Sequence, residues 1–129
     1  RRQGGGRVVN VLATGAKAPG AGSAPSTVAR AAGMALTKAL SKEFASEHIL
    51  VNAVLIGLVK SGQWERVAAS SHGTTTLEDL YAGMASSVPV GRVADAEELA
   101  DLVVFLVSDR ARYITGCAIN FDGGASPVV

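Results

Sequence analysis

The sequence predicts an α/β fold on a parallel sheet, and three observations carry that prediction. Two short apolar runs at residues 7–13 and 49–55 (RVVNVLA and ILVNAVL) are rich in β-branched residues. Neither alternates with polar residues, which is the pattern of parallel strands buried on both faces. Between them, residues 26–46 repeat apolar side chains at helical spacing, and a third apolar run at 114–121 follows a second well-signalled helix. The resulting order is β-α-β, two short helices, then α-β, which suits a parallel sheet with helices on both sides.

Each element has its own signals. Residues 1–6 read as a flexible lead-in, and their glycines precede a strand rather than follow one, so they do not make a phosphate loop. The first strand ends at Ala13, and the glycines, Pro19 and small residues of 14–24 spell a loop. In the long helix Val28, Ala32, Ala35, Leu36, Ala39, Leu40 and Phe44 form the expected core-facing stripe, with Pro25 in the first turn. Ala31, Ala35, Lys38 and Lys42 make a second face that begins with small residues and lets another helix approach closely.

Residues 56–62 form a second loop at a strand's carboxyl end. Two short helices are expected next, over 63–71 with Trp64, Val67 and Ala68, and over 76–87, capped by Thr76 with Glu78 and Asp79 in its first turn. The stretch 70–75 between them is expected to be the most mobile part of the chain. Asp95 and Glu98 then form a D-x-x-E capping box for a helix whose stripe is Leu99, Leu102, Val103 and Leu106. Residues 109–113 turn the chain into the third strand, and Asp122, Gly123 and Gly124 close it with a turn. The first strand has no guard against edge pairing. The chain therefore reads as the later part of a doubly wound domain whose earlier strands are absent or are supplied by another chain.

Composition narrows the function classes. A chain of 129 residues with 48% hydrophobic content is one domain's worth of foldable sequence. Its formal charge of +1 supplies no basic patch for nucleic acid or an anionic membrane surface, so neither is an expected partner. No apolar run approaches the roughly 20 residues of a membrane span, and the opening residues lack the apolar region of a signal peptide. The single cysteine, Cys117, is expected to be a buried thiol among Ile114, Ala118 and Ile119, which points to a reducing cytoplasm. His48 and His72 have no Asp, Glu or Cys at ligand spacing, so no metal site is expected.

Ligands of open parallel sheets bind beyond the strands' carboxyl ends, which brings residues 13–22, 26–30 and 56–64 together. Four segments then carry a resemblance: GRVVNVLAT (6–14), ARAAGMALTKALSKEFASEHILVNAV (29–54), PVGRVADAEELADLVVFLVSDRARYITG (89–116) and INFDGG (119–124). In this order they resemble the C-terminal half of a short-chain dehydrogenase/reductase, similar to the 3-oxoacyl-carrier-protein-reductase branch. The resemblance implies the later half of a Rossmann-like doubly wound parallel sheet, with residues 1–129 a single partial domain lacking the glycine-rich cofactor loop. It also implies NAD or NADP as cofactor, a small carbonyl or secondary-alcohol substrate, and a homo-oligomer formed through the long helix and the last strand.

The family's serine, tyrosine and lysine correspond by position to Ala13, Ser26 and Arg30, so all three are replaced. Ala13 removes a donor, although Thr14 is adjacent. Ser26 keeps a hydroxyl but is a far poorer proton donor or acceptor than a phenol beside a cation. Arg30 keeps a charge that can hold ribose hydroxyls but cannot be deprotonated. The loop that holds the nicotinamide carboxamide in the family corresponds to Ile56, Gly57, Val59 and Ser61, and Trp64 begins the counterpart of the substrate lid. Other roles stand beside these: Ser26 suits a helix N-cap, Arg30 a solvated surface or an anion at the helix start, and Trp64 an interface or lid packing residue. Tyr81 is expected half-buried in the lid, and Asp122 in a turn. The competing function is a non-catalytic homologue that serves as an oligomerisation or ligand-sensing scaffold.

Overall fold

A computed structural model describes residues 3–71 and 73–129. Arg1, Arg2 and His72 lie outside the described residues, and with them the start of the expected lead-in and the loop histidine. Three parallel strands, β1 (Gly6–Ala13), β2 (Ile49–Ile56) and β3 (Ala118–Phe121), lie in the order β1-β2-β3. Among the described residues four helices, α1 (Ala24–Phe44), α2 (Gly62–Ser70), α3 (Leu77–Ala85) and α4 (Ala96–Val107), complete the α/β arrangement. Short 3-10 turns at Thr14–Ala16, Ala45–Glu47 and Asp109–Ala111 join them.

The core is centred on β2. Val51, Ala53, Val54 and Leu55 are buried together with Leu106 of α4, Val93 and Ala111. Residues Asn10 and Leu12 of β1 meet α1 through Thr37 and Gly33, whereas Arg7, on the opposite face by strand alternation, reaches Asp109 just beyond α4. The two neighbours of β2 are in register with it from Gly6↔Ile49 to Ala13↔Ile56 and from Ala53↔Ala118 to Ile56↔Phe121. All three strands thus end level, at Ala13, Ile56 and Phe121.

Several expectations are corrected. β1 is not buried on both faces: Val8 is 40% and Val11 53% exposed, because β1 is an edge strand that the two helices cover incompletely. The expected stripe of α1 largely faces outward, with Val28 67% and Leu36 53% exposed and Ala32, Ala35 and Ala39 exposed as well. Its buried residues are polar, Thr37 and Ser41. They can be buried because each is hydrogen-bonded: Thr37 Oγ1 donates to the Gly33 carbonyl at 2.8 Å and accepts from Asn10 Nδ2 at 2.8 Å, and Ser41 Oγ donates to the Lys38 carbonyl at 2.8 Å. Gly33 brings this face in, since a Cβ there would stand 2.8 Å from Leu12 Cδ2.

The third strand is four residues long, not eight. Gly116, at φ +70°, bends the chain before it. Asn52, buried in β2, holds the bend by donating to the Ile114 carbonyl at 2.9 Å and accepting from the Cys117 N–H at 3.1 Å. The bend turns Cys117 outward, so the thiol is exposed rather than buried.

The caps agree with expectation. Thr76 and Asp79 form a reciprocal box at α3, and the Asp95 N–H donates to Glu98 Oε2 at 2.9 Å at the start of α4. No helix among the described residues is long and apolar enough to cross a membrane.

Candidate active site

Because the strands end level, the loops leaving Ala13 and Ile56 emerge side by side. The first makes the turn Thr14–Ala16 and reaches α1, where Ser23 is the N-cap by position. Ser23 and Thr27 share a hydroxyl–hydroxyl hydrogen bond of 2.8 Å that ties the loop to the first helical turn. Ser26 therefore lies inside the first turn instead of capping it, and its side chain is exposed. Residues four apart on a helix share a face. Accordingly, Arg30 Nε donates to Ser26 Oγ at 3.0 Å. Among the described residues the two Nη groups of Arg30 have no hydrogen-bond partner, nor does the Thr14 hydroxyl next to Ala13.

The second loop is held at several points. Gly57 passes so close to Asp122 that a Cβ would lie 2.8 Å from the Asp122 Cβ and 2.9 Å from its Cα, and its N–H donates to the Phe121 carbonyl at 2.9 Å. Ala94 N–H donates to the Leu58 carbonyl at 3.1 Å and Lys60 N–H to the Ala94 carbonyl at 2.9 Å, forming a short bridge around the buried Val59. Lys60 Nζ pairs with Asp95 at 2.7 Å, which raises the lysine pKa, and lies 5.9 Å from the Tyr81 ring centroid. Behind this bridge Arg92 grips Glu98 through two 2.6 Å hydrogen bonds. That fork, aided by the Asp95 N–H, pulls the Glu98 carboxyl pKa down to about 2. The expected lid phenol, Tyr81, is half-buried against Lys60.

Trp64 is a positioning group for this loop. Its Nε1 donates to the Val59 carbonyl at 3.0 Å, while the Val59 N–H has no partner among the described residues. Ser61 is the N-cap of α2, yet its hydroxyl makes no capping hydrogen bond. An unpaired backbone donor, a carbonyl with one lone pair left and a nearby hydroxyl fit a primary carboxamide, and the open Nη groups of Arg30 fit vicinal hydroxyls. The residues present thus fit the nicotinamide riboside end of a dinucleotide. Ser26 and Arg30 are brought into direct contact, and Ile56, Gly57, Val59 and Ser61 share one braced loop. Among the described residues no hydrogen bond joins the two groups.

One residue of this region escaped the sequence reading. Lys17, in the loop after β1, crosses to the far strand, where its Nζ donates to the Ala118 carbonyl and Asn120 Oδ1, both at 2.9 Å. Lys17 thus ties the loop after β1 to β3. Its signal was a lone cation in a loop of small residues. The Asp122 turn is as expected, with Oδ1 accepting from the Gly124 N–H at 3.0 Å and Oδ2 from the Ser126 N–H at 2.8 Å. No cluster of three His, Cys, Asp or Glu side chains able to hold a metal exists among the described residues.

A family model described as enoyl-(acyl carrier protein) reductase matches residues 1–126. The chain is 35% identical over 121 residues to the putative ketoacyl reductase 1 of the granaticin polyketide synthase of Streptomyces violaceoruber, an alignment that covers 92% of the chain and 44% of that relative. It is similar to the L-sorbose reductase of Gluconobacter frateurii, solved with NADPH and L-sorbose, with a TM-score of 0.90 and 30% identity over 99% of the chain and 50% of the reductase. It is also similar to an NADPH-bound short-chain oxidoreductase of Pseudomonas aeruginosa PAO1 described as containing an atypical catalytic center, with a TM-score of 0.84 and 32% identity over 95% of the chain and 47% of that protein. The chain spans about half the length of these relatives.

Proposed function

Since this chain belongs to the short-chain dehydrogenase/reductase family, we propose that it forms the later half of an NAD(P)-linked oxidoreductase for a small carbonyl or secondary alcohol, with a degenerate proton-transfer site. The observation that carries this reading is the 3.0 Å hydrogen bond from Arg30 Nε to Ser26 Oγ. A cation touches a hydroxyl oxygen near the helix start, at the positions that the resemblance matches to the family's lysine and tyrosine. The cofactor, when bound, supplies or accepts the hydride.

The chain's own residues orient and polarise. Ser26 Oγ accepts from Arg30, so its one O–H proton is free to donate to a substrate carbonyl oxygen, and the guanidinium makes that O–H more polar. Full proton transfer is another matter. A serine hydroxyl is a weak acid near neutral pH, and Arg30 cannot relay a proton because it does not deprotonate. Ala13 contributes no second donor. Arg30 would hold ribose hydroxyls through its Nη groups, and the Val59 N–H and the Ser61 hydroxyl, in the loop set by Ile56, Gly57 and Trp64, would hold the carboxamide. The relative described as containing an atypical catalytic center was solved with NADPH bound, which supports cofactor binding beside a departure from the usual center.

The single partial domain, a reducing cytoplasm and a homo-oligomer belong to the same proposal, the last supported by the outward apolar face of α1 at Val28 and Leu36. That face also favours a second reading, in which the chain is a non-catalytic scaffold for subunit association. A titration separates the two. NADH and NADPH are added to this chain, and to a chimera in which it follows the N-terminal half of a short-chain reductase, and carbonyl-dependent cofactor oxidation is then assayed. Cofactor binding with slow turnover in the chimera supports the degenerate enzyme; binding with no turnover above background supports the scaffold.

A further inference from the structure

The sheet has a second concave region at its opposite end, where the strands begin. A cavity of about 580 Å³ opens there between the start of β1, the turn into β2 and the bend that leads to β3. That size falls within the few hundred to about 1,000 Å³ common for small-molecule sites. Its lining residues include two arginines, Arg7 and Arg112, with His48, Thr115, the fully exposed Tyr113, and Leu50 as an apolar wall. From these groups we propose a binding site for a phosphate group, free or as a monoester, at the amino ends of the strands.

The hydrogen bonds already made show what is left to bind. Arg7 Nη1 donates to the Gly6 carbonyl at 3.0 Å and to the His48 carbonyl at 3.5 Å, and Nη2 stands 3.7 Å from Asp109 Oδ1. Arg7 Nε is buried and has no hydrogen-bond partner. The Asp109 carboxylate is the competing anion, but its side chain is 96% exposed and the contact is long, so water screens it and a multidentate anion displaces it. Arg112 is exposed and has no salt-bridge or hydrogen-bond partner among the described residues. Thr115 Oγ1 accepts from the Val51 N–H at 3.0 Å, leaving its own proton to donate. The Arg112 guanidinium, the Nη2 group of Arg7 and the Thr115 hydroxyl around one opening match the several acceptor oxygens of phosphate. Leu50 adds an apolar surface for the organic part of a monoester.

The test is an amide-resonance titration of this chain with inorganic phosphate and with phenyl phosphate, against sodium chloride at equal ionic strength. Saturable shifts at His48, Leu50, Tyr113 and Thr115 are expected. Arg112→Gln weakens binding about tenfold, the effect of one charge-assisted contact, and Arg66→Gln, on α2, leaves it unchanged. Tighter binding of phenyl phosphate identifies a monoester as the ligand, and equal or weaker binding identifies the free ion. Shifts reproduced by chloride, or equal sensitivity to the two substitutions, overturn the proposal. Because Arg112 is exposed, its substitution does not threaten the fold.

Discussion

On the proposed reading, Ser26 and Arg30 keep part of a site's electrostatics on one helical turn while its chemistry changes. A cation still touches a hydroxyl, but an aliphatic alcohol is a far poorer proton donor than a phenol, and a guanidinium does not replace an ammonium. Arg92 and Glu98 illustrate a fork that works purely as a brace. Because the fork and the Asp95 N–H hold the Glu98 pKa near 2, its ionised form adds stability that is fully present above the ordinary carboxyl value of 4.5 and lost as pH falls toward 2. Replacing Arg92 by Ala is expected to raise the Glu98 pKa most of the way to its ordinary value, measurable by carboxyl carbon NMR across pH 2–6. A pKa that stays near 2 would mean the backbone N–H alone sets it. At this scale, D-x-x-E spacing made the box at Asp95 readable in sequence, whereas the Ser26–Arg30 hydrogen bond was not foreseen, although i,i+4 spacing puts the two on one helix face. The reach of Lys17 across the sheet was not readable, because it depends on where β3 lies relative to a loop a hundred residues earlier. Cys117 was misjudged because its apolar neighbours implied a strand where Gly116 makes a bend.

The elements are joined by close approaches at glycine, and the approaches differ in cost. At Gly33 an added Cβ meets only the mobile end of Leu12. Gly33→Ala should therefore stay within about 1 kcal/mol of the parent, since repacking of Leu12 is offset by a gain in helix propensity of up to ~1 kcal/mol. At Gly57 the added atom meets the Asp122 backbone, so the two loops must separate. Gly57→Ala is expected to destabilise the chain by about 2 kcal/mol. Urea midpoints of the two variants check both numbers, and equal midpoints would contradict the account of the Gly57 loop. The order of strands and helices was legible because strand runs and caps are local signals. The buried face of α1 was not, since hydrophobic periodicity could not foresee that Thr37 and Ser41 would be satisfied by Asn10 and by the helix's own carbonyls.

Across the whole molecule, apolar surface is left on the outer face of α1 and on β1, where Val28, Leu36, Val8 and Val11 are exposed. Exposed apolar side chains on these two elements are expected to be covered in an assembly. Sedimentation at micromolar concentration should give a weight above that of one chain, and Leu36→Arg should shift it toward the monomer; a monomer before substitution would contradict the oligomer. The central claim, that the fold and the cofactor-facing groups persist while the proton donor has been exchanged for a short alcohol, has a direct measurement. In the chimera carrying the glycine-rich half, Ser26→Tyr with Arg30→Lys should raise the rate of carbonyl-dependent NADPH oxidation by about 10²- to 10⁴-fold, the usual worth of a positioned acid, with NADPH affinity little changed. Bound NADPH with turnover no faster than the parent's would contradict it.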